Sequence, residues 1–162
     1  MNFFDATCQE PPLTHQEFGL CDDENGTKAY TDVSTPSKWI ATVKNDNNIA
    51  ITFTAVDKCV IKDHEYLGRG RCDAMLTTDT SLFLVELKDA TPPWQTDALD
   101  QLISTMKFLK EHHDISGFIH KKLFACNKKR PAFVAIDNSE SKAFFHEHRF
   151  RIDIQAEIIV VK

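Results

Sequence analysis

Arg71-Cys-Asp-Ala-Met-Leu76, a polar break at Thr77–Ser81, then Leu82-Phe-Leu-Val-Glu-Leu-Lys88 form the run from which the rest of the chain is worked out. It reads as two short strands and a tight connection. Side chains alternate between the two faces of a strand. Glu86 and Lys88 therefore share a face with Leu82 and Leu84, and Phe83, Val85 and Leu87 take the other. Charges at the end of an apolar strand are expensive unless they are paired or hold a metal. A turn centred between Asp79 and Thr80, or a four-residue loop Thr78–Ser81, places Asp73 opposite Glu86. Directly opposed side chains have Cβ atoms about 4.5–5.5 Å apart. Two carboxylates at that separation repel unless a proton or a cation lies between them.

The chain is 162 residues long and fits one domain, residues 1–162. An apolar fraction of 42% and a charged fraction of 27% are those of an ordinary globule. No apolar run approaches the roughly 20 residues of a membrane span. The start Met1-Asn-Phe-Phe-Asp5 lacks the positive beginning of a secretory signal, so a cytoplasmic location is expected. The five cysteines (8, 21, 59, 72, 126) are scattered with no C-x-x-C pair, which argues against zinc and reads as reduced thiols. The net charge of −5 is unevenly spread: residues 1–100 carry 8 Lys and Arg against 17 Asp and Glu, residues 101–162 carry 11 against 7. Such asymmetry marks a polyanion-facing surface or is ordinary scatter.

Along the chain, Thr14-His-Gln-Glu17 fits a capping box opening a short helix. Ser37–Val43 and Ile49–Val56 read as an early hairpin around Asn45–Asn48, and Cys59–Ile61 as a continuation of the sheet. Arg69 and Arg71, next to the flexible Gly68 and Gly70, either hold a phosphate or relieve local acidity. Leu99, Leu102, Ile103, Met106 and Leu109 carry the helical period, so a helix is expected from Thr96 to about His112, with Thr96 as N-cap. Lys121, Lys122, Lys128, Lys129 and Arg130 bracket Leu123–Asn127 as the strongest basic cluster, fit for phosphate contacts or for a solvated loop. Pro131–Asp137 reads as a buried strand, Ser139 as the cap of a short helix to His146, and 149–154 and 157–161 as closing strands. The histidines show no ligand spacing.

Asp73, twelve residues, then Glu86-Leu87-Lys88 resembles the signature of the PD-(D/E)XK nuclease superfamily, with Cys72 where many members have proline. The resemblance covers the hairpin and the helix and strand after it. It implies a restriction-endonuclease-like α/β sandwich, a central mixed β-sheet flanked by helices. It also implies a Mg²⁺- or Mn²⁺-dependent nuclease, acting on DNA or RNA in a restriction, repair or phage-defence setting. Asp73, Glu86 and the Leu87 carbonyl would hold the metal. Lys88 would orient the attacking water or stabilise phosphate charge, and Gln101, on the following helix, would position the water or Lys88. Such relatives often draw a further acidic residue from an early helix; Glu17 is the candidate for it, although its capping role explains it without catalysis. A homodimer or a targeting partner would suit so small a chain. Two rival readings remain open: an inactive nuclease-like domain serving as a binding or assembly subunit, and a structural Glu86–Lys88 ion pair in a small binding protein.

Overall fold

The computed structural model describes residues 1–162. Its strands are β1 (Glu17–Cys21), β2 (Tyr30–Asp32), β3 (Ala41–Lys44), β4 (Thr52–Ala55), β5 (Ala74–Thr77), β6 (Ser81–Lys88), β7 (His120–Asn127), β8 (Arg151–Ile154) and β9 (Glu157–Ile159). The helices are α1 (Gln95–His112) and α2 (Asn138–His148). Two mixed sheets result, a five-stranded one in the order β4-β5-β6-β7-β8 and a four-stranded one in the order β2-β1-β3-β9. The molecule is therefore an α/β fold in three layers. Phe83, Val85, Leu87 and Phe124 on one face of the larger sheet pack against Phe18, Leu20, Val43 and Ile158 of the smaller one. Leu82, Leu84, Leu123 and Ala125 on its other face pack against Leu102, Met106 and Leu109 of α1. The two faces of β6 are those that strict alternation assigns. Helices flank the larger sheet on one face only, because the smaller sheet covers the other.

The hairpin register is the expected one: Ala74 faces Val85, Met75 faces Leu84, Leu76 faces Phe83 and Thr77 faces Leu82. Thr78 N donates to Ser81 O across the loop. Helix α1 also forms where the apolar stripe puts it. Its N-cap is Trp94, without a side-chain cap bond, rather than Thr96.

Several expectations are corrected. Thr14–Glu17 opens no helix: Glu17 begins β1, whose next four residues are all buried, and its carboxylate pairs with Lys44 at 2.8 Å. The 37–43 and 49–56 segments do not form a hairpin. The Asn45 side chain closes the turn by bonding both the N–H and the carbonyl of Ile49. β3 and β4 then enter different sheets, because their inward residues line the two sides of one inter-sheet core. Cys59 is not in the sheet; it joins Cys8 in a disulfide with Cα atoms 5.7 Å apart, while Cys21, Cys72 and Cys126 are free and buried.

Pro131–Asp137 is mostly exposed, with a single bridge from Val134 to Ile154. The missing strand is β7, where Leu123–Asn127 are buried without a break because both faces of this parallel strand are covered. α2 is capped by Asp137, whose carboxylate accepts from the N–H groups of Ser139 and Glu140, not by Ser139. The closing strands form but part company, β8 to the larger sheet and β9 to the smaller.

Candidate functional site

The expected pair of carboxylates is found at the end of β5 and β6, on the α1 side of the larger sheet. Asp73 and Glu86 are both buried. The ladder is irregular at this point. Asp73 N donates to Val85 O at 3.1 Å, one residue out of step with the Ala74–Val85 pairing, so the strand bulges at Asp73. A bulge re-aims the side chain it carries. Here the Asp73 carboxylate turns along the sheet and accepts from the Leu87 N–H at 2.7 Å. Extended through residue 72, the same register would hand the Cys72 N–H to the Leu87 carbonyl. That N–H goes instead to Thr105 Oγ1 on α1, at 2.7 Å.

Glu86 Oε1 is fully buried and has no hydrogen-bond partner. Its other oxygen, Oε2, lies 3.3 Å from Lys88 Nζ. Lys88 also donates to Asp97 Oδ2 at 2.5 Å, and Gln101 Nε2 reaches the same oxygen at 3.4 Å. Gln101 thus touches the site through Asp97. Sequence reasoning missed Asp97, although its place one helical turn before Gln101 puts the two on one face.

Burial pushes the Asp73 carboxyl up to about 7, against the lowering effect of the Leu87 N–H and of a hydrogen bond shared with Glu86. Burial also carries Glu86 well above the ordinary carboxylate range; the nearby Asp73 charge adds to this and Lys88 opposes it. The pair therefore retains a proton near neutral pH. Burial of Lys88 favours its neutral form, but the bond to Asp97 and the charge of Glu86 outweigh this and hold it above its usual value. The bond from Lys88 keeps Asp97 below its usual value. Cys72 and Cys126 are buried beside the pair, and burial with the Glu86 charge raises both thiols, so they stay protonated.

The other expected residues divide. Gly70 lies against Gln101, where a Cβ would stand 3.1 Å from the Gln101 Cα. This brings the 63–71 loop to the site and forms a cleft of about 410 Å³. Four carboxylates line it: Asp63, Glu65, Asp97 and Asp100. Arg71 is fully engaged within the loop, with Asp57 at 2.7 Å, Asp63 at 3.1 Å and the Lys62 carbonyl at 2.7 Å. Arg69 stacks on the Phe108 ring, 3.5 Å from its centre, and lies 3.7 Å from Glu111. Glu17 is on the smaller sheet and takes no part. The basic cluster is divided by β7: Lys121 and Lys122 stand at its beginning, whereas Lys128 follows its end, donating its N–H to Lys88 O. Lys129 pairs with Asp89 at 3.3 Å, and Arg130 Nη1 donates to the Lys129 carbonyl.

No group of three His, Cys, Asp or Glu side chains is assembled to hold a metal ion. The donors that fit a divalent cation are two carboxylates and a peptide carbonyl, all oxygen, as Mg²⁺ and Mn²⁺ prefer. The unpartnered Glu86 Oε1 is the observation that matches such an ion. No helix is long and apolar enough to cross a membrane. The chain matches no protein-family model, no curated protein and no solved structure. The class defined by fold and site is thus an α/β protein with a buried carboxylate pair and an adjacent lysine at a sheet end.

Proposed function

We propose that this chain is a Mg²⁺- or Mn²⁺-dependent phosphodiesterase acting on nucleic acid, DNA before RNA, built on a restriction-endonuclease-like frame of the PD-(D/E)XK kind. The observation that carries the reading is the buried Asp73–Glu86 pair, with one Glu86 oxygen unpartnered at the bulged end of β5. An unpaired buried polar atom costs roughly 1–3 kcal/mol, a cost that a cation held between the two carboxylates would remove.

Asp73, Glu86 and the Leu87 carbonyl would hold the ion, which when bound would polarise a phosphoryl oxygen and make a water more acidic. Lys88 would leave Glu86 for the phosphate or the attacking water, and stabilise the charge that develops there. Asp97 would fix the direction of the Lys88 ammonium, with Gln101 holding Asp97 in turn. Loading the ion would release the proton the pair retains.

The test is calorimetric titration of Mn²⁺ into the wild type and the Asp73→Ala, Glu86→Ala double variant, followed by cleavage of single- and double-stranded DNA and RNA. Uptake and cleavage by the wild type, both lost in the double variant, with cleavage alone lost in Lys88→Ala, is the expected result. Cleavage that survives Asp73→Ala would refute the reading. An absence of both uptake and cleavage in the wild type would favour an inactive, nuclease-like assembly subunit.

A further inference from the structure

Most cations around the carboxylate pair are matched by carboxylates: Arg69 by Glu111, Arg71 by Asp57 and Asp63, Lys88 by Glu86 and Asp97, Lys129 by Asp89, while Lys128 and Arg130 donate to the carbonyls of Ser37 and Lys129. The opposite end of the larger sheet, where β7 and β8 begin, is built differently. Lys121, Arg149, Arg151 and the nearby Lys110 make no ion pair there. Lys121 Nζ donates to the Phe118 carbonyl and Lys110 Nζ to the His148 carbonyl. Lys122 alone is neutralised, by Asp153 at 2.9 Å. Both guanidinium groups lie over one ring, Arg151 at 4.2 Å and Arg149 at 5.8 Å from the centre of Phe145. Phe145, Lys121, Lys122 and Arg151 line a small pocket of about 160 Å³. Helix dipoles account for Lys110 and Arg149, at the C-terminal ends of α1 and α2. They do not account for Lys121 and Arg151, which are strand residues.

We propose that this end of the sheet is a binding site for a nucleic-acid phosphodiester backbone, formed by Lys121, Arg149 and Arg151 around Phe145. The choice of a nucleic acid over other polyanions rests on the phosphodiesterase reading above. Unpaired cations supply affinity by releasing counterions from phosphates, and the half-buried Phe145 ring holds the Arg149 and Arg151 guanidiniums side by side. The spacing also fits. Lys121 is paired with Leu82, four residues before Glu86 on β6. At about 3.3 Å per residue the two ends are about 13 Å apart along β6, a span that a short run of an oligonucleotide backbone covers. A nucleic acid long enough to pass around α1 would reach the carboxylates, whose own surroundings repel it.

The experiment measures binding of a fluorescein-labelled 20-nucleotide single-stranded DNA in EDTA, from 50 to 300 mM NaCl. It compares the wild type, Lys121→Ala/Arg151→Ala, and Lys28→Ala/Lys38→Ala as an off-site control with the same change in net charge. Removing two phosphate-neutralising side chains should flatten the log–log salt slope by about 1.4 and weaken binding about 25-fold at 0.1 M salt, with the control unchanged. Lys121→Gln/Arg151→Gln must repeat the result, which guards against a folding defect in the alanine pair. Equal slopes in wild type and variants would overturn the site. So would binding to phosphatidylserine vesicles with none to the oligonucleotide. Because EDTA removes cleavage, a flattened slope in a protein that never cleaves would uphold the site while the phosphodiesterase reading failed. Metal-dependent cleavage with an unaltered slope would do the reverse.

Discussion

Glu86→Gln should make the metal-free protein more stable above neutral pH and leave it nearly unchanged in strong acid. The reason is the direction in which burial moves the pair. With Asp73 raised from 3.8 to about 7, the folded state keeps a proton that the unfolded chain has already released. Stability therefore falls as pH rises through that window: the contribution is present in full below about pH 3.8 and is gone above about pH 7. At about 1.36 kcal/mol per tenfold change in proton affinity, the full difference for Asp73 is about 4 kcal/mol, an upper figure because the proton is shared with Glu86. Replacing Glu86 by its amide removes the like charge and gives Asp73 a donor. Recovery of roughly half, about 2 kcal/mol, corresponds to a melting temperature about 4–8 °C higher at pH 8 for a chain of this length. At pH 5, where little more than a third of the difference has developed, the shift should be about 2–3 °C. The assay is thermal unfolding by circular dichroism in EDTA at both pH values. A Glu86→Gln protein less stable than the wild type at pH 8 would refute the reasoning, since it would mean that the carboxylate is satisfied where it lies.

Gly19→Ala would place a Cβ 1.9–2.2 Å from the Trp39 indole; denaturant unfolding should show a loss of about 1–3 kcal/mol, together with a change in Trp39 fluorescence as the Nε1–Asp32 bond breaks. Cys8→Ser/Cys59→Ser opens a covalent loop across a sequence separation of 51; chain entropy puts the loss at about 4 kcal/mol, and a midpoint unchanged by the double substitution would exclude the bond. Thr105→Val deprives the buried Cys72 N–H of its acceptor and should cost about 1–3 kcal/mol, whereas Thr105→Ser should be close to neutral in the same titration.

The sequence exposed the parts of the molecule that depend on one period at a time. Alternation along Leu82–Lys88 was enough to put Glu86 and Lys88 on one face with Leu82 and Leu84, and a symmetric turn was enough for the hairpin register. The stripe from Leu99 to Leu109 was enough for α1. What stayed hidden depends on two elements meeting. The bulge at Asp73 adjoins a contact with the helix, where Thr105 takes the Cys72 N–H. β7 is buried on both faces over Leu123–Asn127, so it shows no period, and lysines flank that run at both ends. Asn45–Asn48 is a turn in either reading; only the shared core reveals that its arms enter different sheets. The Cys8–Cys59 bond joins distant segments and leaves three thiols that spacing could not single out.

The distribution of charge bears on the order in which a metal and a polyanion would arrive. Without an ion, the mouth of the cleft presents Asp63, Glu65, Asp97 and Asp100, and its arginines are already paired. A phosphate approaching it meets net negative charge. At the far end, Lys121, Arg149 and Arg151 are unopposed. On the proposed reading, a nucleic acid is first caught at the basic end and engages the carboxylate end only when a divalent cation has reversed the local potential. Mn²⁺ should then tighten binding of an uncleavable phosphorothioate oligonucleotide to the wild type, measured by fluorescence anisotropy at constant ionic strength. It should have no such effect on Asp73→Ala/Glu86→Ala, which would keep only the metal-independent affinity. Equal tightening in both proteins would mean that Mn²⁺ acts on the oligonucleotide or elsewhere on the surface, and would separate the two ends that this arrangement links.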